Sequence, residues 1–295
     1  MPFGGLTKVC AERAPSATRD ARLWKGTMEL RSLGYRSQLI FTAFDGMAVD
    51  RGDHWAIHTL SNPNFFWGNL LVFDRPPRQG DFAAWTQAFK SEFTNPKIHH
   101  ITLAWDSADG TIGEIDEFIA NGFTLEATAV LSASSVNRPL KYNSELVVRG
   151  LQTESEWEEM IRVQVASSHD NLPPSEWERF YRTQALRYQA MERAGFGQWY
   201  GGFLNGQLAG GLGLVHHQRV GRFQSVSTAP DFQRRGVCQT LVYEASRRLL
   251  DSGAVDHLVM CADPDYHAIK IYEAVGFKRQ LTEHGVYWWD KNHHS

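Results

Sequence analysis

The chain has 295 residues, a formal net charge of -3 and three cysteines. That length suits two domains of ordinary size, and the near-balanced charge, with no long Lys/Arg run, argues against a nucleic-acid partner. Cys10, Cys238 and Cys261 are too few and too scattered for a disulfide framework or a zinc site, no apolar run nears the roughly 20 residues that cross a bilayer, and a reducing cytoplasm is the expected compartment.

Residues 1–27 read as a polar tail without the apolar centre of a secretory signal. Met28 offers a second start residue, so the tail is expected to lie outside the fold. A first domain then runs over residues 28–142. The turn-rich Ser61-Asn62-Pro63-Asn64 precedes a strand at Asn69–Phe73. Next come a helix at Phe82–Phe93, a strand at Ile98–Trp105, a helix at Ile115–Ala120 closed by Gly122-Phe123, and a strand at Thr124–Ser132.

A second domain is expected over residues 143–295. It opens with a strand at Glu145–Leu151. The pattern Thr153-x-x-Glu156 is a capping box and starts an amphipathic helix to Val165. A loop at His169–Pro174 follows, and Ser175 caps a second helix to about Arg193. Asn205-Gly206 joins Gln198–Leu204 to Gln207–Val215 as a hairpin. The segment Phe223–Leu250 reads as strand, basic glycine loop, helix. Ala254–Ala262 is a strand, ended by Asp263-Pro264-Asp265, which offers carboxylates to a helix start. That helix carries Ala268, Ile269, Ile271, Tyr272 and Val275, with Gly276 as its C-cap.

The loop Gln233-Arg234-Arg235-Gly236-Val237-Cys238 carries the chemistry. A strand feeding such a loop into a helix start aims unpaired backbone N–H groups at one point, where the helix dipole is positive. Gly236 lets an anion approach the backbone, and Arg234 and Arg235 add charge. The segment resembles motif A of the GNAT superfamily of N-acetyltransferases, whose loop reads Q/R-x-x-G-x-G/A. Here it is Gln233-x-x-Gly236-x-Cys238, so cysteine departs from the pattern at the last position. The family's motif B, N-x-x-A-x-x-x-Y-x-x-x-G-F, is met by Asp265, Ala268, Tyr272, Gly276 and Phe277, with aspartate in place of asparagine.

The two halves also resemble each other. Glu117–Phe123 (EFIANGF) lies over Ile271–Phe277 (IYEAVGF), and Gly80 to Gly122 spans nearly the length of Gly236 to Gly276. The first copy is degenerate. Pro76 and Pro77 remove N–H donors from its loop, and Phe118 stands where Tyr272 stands. The fold class implied is α/β (α+β): tandem GNAT-like domains, each a mixed, mostly antiparallel sheet flanked by helices. One functional site per chain is expected, in the second copy. The first copy would then be structural, or a wall of the acceptor pocket.

The resemblance implies an acetyl-CoA-dependent N-acetyltransferase acting on a primary amine of a small molecule. Gln233, Arg234, Arg235, Gly236, Val237, Cys238 and Gln239 would hold the pyrophosphate. The backbone of Val226, Ser227 and Thr228 would align the pantetheine, with the Val226 N–H facing the thioester carbonyl. Tyr272 matches the family's general acid. Cys238 reads as a packing residue rather than a nucleophile. No carboxylate stands at Arg222–Ser225, where many members carry their base, so His169, Asp170, Asp265, His216 and His217 are the candidates. Aromatic residues at Trp177, Phe180, Tyr181 and Tyr188, and at Phe65, Phe66 and Trp67, suit an apolar acceptor wall. A non-catalytic acyl-CoA-binding or sensing module, and a two-domain transferase such as mycothiol synthase, stay open as alternatives. The strand Gly285–Trp289 is expected to be exposed and able to pair between chains as a homodimer.

Overall fold

The computed structural model describes residues 28–63, 65–168 and 173–290. The polar tail with Cys10, residue Asn64, and the base candidates His169 and Asp170 with the rest of their loop to Leu172 lie outside the described residues.

One continuous sheet of eleven strands runs through both halves. The first half supplies α1 (Leu33–Asp45), β1 (Gly46–Asp50), β2 (His54–Thr59), β3 (Leu70–Phe73), α2 (Asp81–Glu92), β4 (His100–Trp105), α3 (Asp116–Ala120) and β5 (Thr124–Ala133). The second supplies β6 (Val147–Gly150), α4 (Glu154–Ala166), α5 (Pro174–Arg193), β7 (Gly197–Leu204), β8 (Gln207–His217), β9 (Val220–Thr228), α6 (Val237–Asp251), β10 (His257–Ala262), α7 (Ala268–Val275) and β11 (Lys278–Trp289). The spatial order is β1-β2-β3-β4-β11-β5-β10-β9-β8-β7-β6.

That order repeats about its middle. Outward from the antiparallel β11–β5 pair, β4 and β3 are parallel partners on one side, and β10 and β9 on the other. Antiparallel β2 and β1 match antiparallel β8 and β7. Helices α2 and α6 join the parallel strands, and α3 and α7 lead to the central pair. The duplication read from the glycine spacing is therefore present in the topology. The central strands are exchanged: β5 pairs with β10 of the second half, and β11 pairs with β4 of the first. Two separate sheets were the expectation. Each half instead borrows its inner strand from the other.

This placement corrects the reading of Gly285–Trp289. The strand is not exposed for pairing between chains, because β11 is hydrogen-bonded on both sides, from Lys278–Ser132 to Tyr287–Thr124 with β5 and from His284–Trp105 to Trp289–His100 with β4. Its apolar Val286 belongs to the core beneath α2 and α3.

Three further local readings differ. The N-cap of α5 is Pro173, not Ser175, and Pro174 takes the first helical position, where its fixed φ and missing N–H cost nothing. Helix α7 starts at Ala268 after His267, because Asp263 turns its carboxylate back to the Asp265 N–H (2.8 Å) and extends the turn. The elements α1, β1 and β2 carry no clear local signal in the sequence. Helix α1 buries Gly34, Tyr35, Ser37, Leu39, Ile40 and Phe41, which spread around its axis, so it has no clean apolar stripe.

The helices form two layers. Leu125, Ala129, Leu131 and Ala133 of β5 share one face by alternation, and they meet both the α2/α3 core and the α6/α7 core. Helices α1, α4 and α5 cover the other face. Helix α1 bridges the halves there: Tyr35 and Leu39 pack with Trp55 and Leu70 of the first, while Ile40 and Phe41 pack with Met160, Met191 and Trp199 of the second.

Candidate functional site

Strands β9 and β10 run parallel, but they pair only at Val220–His257, Gly221–Leu258 and Arg222–Val259. Beyond Arg222 they part, leaving a wedge between Phe223–Thr228 and Met260–Ala262. On the other side of β9 the ladder to β8 steps from Gly213–Gln224 to Gly211–Ser227. Ser225 and Val226 therefore face Leu212 alone, a β-bulge, and Ser225 sits in the left-handed region at φ 51°. Strand β8 admits this because Gly210, Gly211 and Gly213 lie opposite it. A side chain at Gly211 would strike Met160, and one at Gly213 the Trp199 indole.

At the end of the wedge, Pro230–Phe232 forms one 3-10 turn and the chain enters α6 through Gly236 at φ 75°. A Cβ at Gly236 would collide with the Lys141 carbonyl oxygen, so both conformation and space demand glycine. The N–H groups of Arg234 to Gln239 donate to no described acceptor, and the first turn of α6 holds no acidic side chain. Arg234 and Arg235 are exposed, the latter 5.4 Å over the Phe232 ring. The Ser227 hydroxyl oxygen and the Gln239 side-chain carbonyl are buried without partners among the described residues. Unpaired N–H groups, orphaned buried polar atoms and flanking cations together fit a bound pyrophosphate and its attached chain.

Tyr272 projects from α7 into the same core and is 6% exposed. Its hydroxyl has no hydrogen-bond partner among the described residues. Burial, and then the nearby Cys238 and Tyr266, push its pKa well above the ordinary value, so the phenol stays protonated. The two motifs thus converge. Cys238 itself is pushed up to about 12 by burial, which keeps it a thiol despite the helix start.

The equivalent place in the first half is filled from within. Gly80 (φ 86°) leads into α2 as Gly236 leads into α6. There the Asp81 carboxylate accepts from Arg75 Nη1 (2.6 Å) and the Arg78 N–H (2.7 Å). The Arg75 hydrogen bond holds the Asp81 carboxyl below its usual range. Phe118 is buried in the position of Tyr272.

The face opposite α6 is walled by α1 and α5. Trp177 stacks on Tyr181 at 5.6 Å, and Phe65 of the first half approaches Phe180 at 6.4 Å. Trp67 instead packs with α1 and Trp55, and Phe66 on His100 and Tyr287, so Phe65 alone of that trio reaches α5. Among the base candidates, His216 and His217 pair with Gly221 and Val220, at the end of β9 away from the bulge. Asp265 is exposed beyond β10.

Sequence reasoning missed a buried polar cluster beneath α1. Glu283 of β11 accepts from the Ser32 hydroxyl and the Tyr35 N–H (2.9 Å), and Asp106 accepts from the Arg31 and Ser32 N–H groups. Arg222 donates to the Gly34 carbonyl (3.0 Å) and the Ser37 hydroxyl (2.7 Å). Burial raises the Glu283 carboxyl to about 7, against the pull of Ser32 and Arg222. Only the helix start at Ser32 signals this cluster in the sequence, since its carboxylates lie far along the chain.

Residues 157–277 match the family model described as "Acetyltransferase (GNAT) family". The match places a GNAT acetyltransferase domain at residues 157–277, within the second half. No curated protein matches the chain. Solved structures share the fold across both halves. A GCN5-related N-acetyltransferase from Kribbella flavida superposes with a TM-score of 0.60 at 13% identity, over 88% of this chain and 95% of that one. A functionally unknown conserved protein from Staphylococcus epidermidis reaches 0.67 at 13% identity, over 83% and 95%. A GCN5-related N-acetyltransferase from Sphaerobacter thermophilus reaches 0.50 at 14% identity, over 75% and 73%. The GNAT family uses acyl-CoA donors, and the wedge, bulge and open loop lie within the matched span. Among the described residues no helix is long and apolar enough to cross a membrane, and no cluster of three or more His, Cys, Asp or Glu could hold a metal ion.

Proposed function

We propose that this chain transfers the acetyl group of acetyl-CoA to a primary amine of a small molecule, at one site in residues 143–295, with residues 28–142 as a structural partner. The observation that carries the reading is the wedge between β9 and β10, which ends on six N–H groups without acceptors among the described residues, Arg234 to Gln239. Acetyl-CoA supplies an activated acetyl group as a thioester. The chain's own residues do the rest. Gln233 to Gln239 hold the pyrophosphate on the start of α6. Val226, Ser227 and Thr228 offer β9 as a strand edge in the wedge. The Val226 N–H, turned by the bulge, stabilises negative charge on the acyl oxygen. Tyr272 keeps its proton until a thiolate needs it. Burial that raises its pKa raises the proton affinity of a thiolate in the same place, so the transfer stays matched.

The acceptor approaches from the α1/α5 face. Its aromatic wall, shared by Phe65, Trp177 and Phe180, favours an amine with an apolar body. The self-filled helix start at Asp81 supports a single donor site. Calorimetric titration with acetyl-CoA should give one molecule per chain, and thiol release should follow addition of small apolar amines. Two molecules per chain, or none, would refute the proposal.

A further inference from the structure

Arg222 stands at the vertex of the wedge. It is the last residue of β9 to pair with β10, opposite Val259, and the strands part beyond it. Its neighbour Phe223 packs into the α6/α7 core, so alternation sends the Arg222 side chain to the α1 face. There α1 of the first half holds one nitrogen of the half-buried guanidinium. Nη1 donates to the Gly34 carbonyl (3.0 Å) and the Ser37 hydroxyl (2.7 Å). Nε and Nη2 donate to no described acceptor, and Nε is buried. Among the described residues the guanidinium makes no ion pair either. The carboxylates nearby are committed elsewhere. Glu283 accepts from the Ser32 hydroxyl and the Tyr35 N–H, and Asp106 from the Arg31 and Ser32 N–H groups.

A buried N–H without an acceptor is costly, and a cation drawn out of water without a counter-charge is costlier. Nε and Nη2 form one edge of the planar guanidinium, and their two parallel N–H groups match the two oxygens of a carboxylate. The bonds from Nη1 to α1 hold the plane in advance. We propose that this edge of Arg222 seats a carboxylate of the acceptor, so that the acceptor is an amino carboxylate with an apolar body, of which apolar amino acids are the simplest. The inference rests on the transfer reading above and narrows its acceptor. The step itself is unchanged: the acyl C–S bond breaks, a C–N bond forms, and the amine gives up a proton as the thiolate takes one. The first half then supplies part of the site, because α1 fixes the seat.

The probes are two matched pairs that differ only in the carboxylate: phenylalanine with phenethylamine, and leucine with 3-methylbutylamine. In nitrogen-15 spectra of the wild type, the Arg222 Nε–H signal, assigned through its side-chain carbons, reads the seat itself. It should move downfield with either amino acid, CoA bound or absent, and stay in place with the paired amine. Thiol release from acetyl-CoA reads the transfer. One amino acid at least should exceed its amine by about tenfold or more in kcat/KM, the scale of a hydrogen bond to a charged group. Arg222→Lys, which keeps a donor for α1 and lacks the edge, should remove that preference. An Nε signal that ignores both amino acids would overturn the proposal, and so would equal kcat/KM within both pairs. Acetylated amines beside a silent Nε signal would leave the transfer reading standing and sink the seat. A signal that moves while no amine releases thiol would support the seat and sink the transfer reading.

Discussion

Glu283→Gln should make the protein more stable at pH 8 and leave it nearly unchanged at pH 5. The carboxyl is 9% exposed, between α1 of the first half and β9 and β10 of the second. Burial is the largest influence and raises its pKa; Asp106 raises it further. The Ser32 hydroxyl, Arg222 and the Tyr35 N–H pull it down, and the balance lies at about 7, against an ordinary 4.5. A carboxyl raised on folding favours the fold while protonated. Its contribution is complete below pH 4.5 and disappears as pH rises through 7. That gap corresponds to roughly 3 kcal/mol, at about 1.36 kcal/mol per pH unit. Glutamine keeps the oxygen that accepts from Ser32 and Tyr35 and never ionises. Urea denaturation of wild type and variant from pH 5 to pH 8 should show their stability difference growing by about 2–3 kcal/mol, most steeply between pH 5 and 7 and levelling off above it. A difference that stays flat, or a variant that is the weaker at pH 8, would show that Arg222 neutralises the carboxylate in place and would refute the reasoning.

Replacing Arg234 and Arg235 together with alanine should weaken acetyl-CoA binding about tenfold by calorimetry, with the melting temperature unchanged, since both side chains are exposed. Tyr272→Phe should cut turnover about 100-fold at unchanged donor affinity, because ring packing survives and only the proton is lost; a variant with full turnover would remove Tyr272 from the chemistry. Gly236→Ala should lower stability by about 1–3 kcal/mol by denaturant titration, from its φ of 75° and the Lys141 carbonyl. Residues 143–290 expressed alone should show no cooperative melting, because β10 then lacks β5 as its neighbour; a sharp transition would show that the exchanged strand is dispensable.

Local signals made most of the second half legible. Thr153 caps α4 with its hydroxyl on the Glu156 N–H (3.2 Å), and Asn205 and Gly206 turn the β7–β8 hairpin at φ 50° and 80°. These outcomes depend on a few adjacent residues, so a single segment encodes them. Gly80 and Gly122 likewise mark both ends of the degenerate repeat, at φ 86° and 83°. The strand exchange was not legible, because nothing in Lys278–Trp289 distinguishes pairing with β4 and β5 from pairing with another chain. Alternation says which face of a strand is buried; it does not say which strand lies beside it.

The site divides in the same way. The loop from Gln233 to Gln239 and the tyrosine of α7 are short motifs, and the structure brings Cys238 close enough to Tyr272 to influence its proton. What the sequence hid is the machinery that holds the wedge open. Ser225 has no sequence mark of a bulge, and the glycines of β8 that make room for it lie twelve or more residues away, at Gly211 and Gly213. Tyr188 of α5 stacks on Trp199 of β7, and the neighbouring Arg187 is fixed to Asp45 in the other half, so these links join residues far apart in the chain. A first copy whose helix start is occupied by its own Asp81 carboxylate is therefore not idle. Its first helix closes one face of the second half, and its last strand completes the second half's sheet. Asp81 at the start of α2 leaves those roles intact, because α1 and β5 carry them.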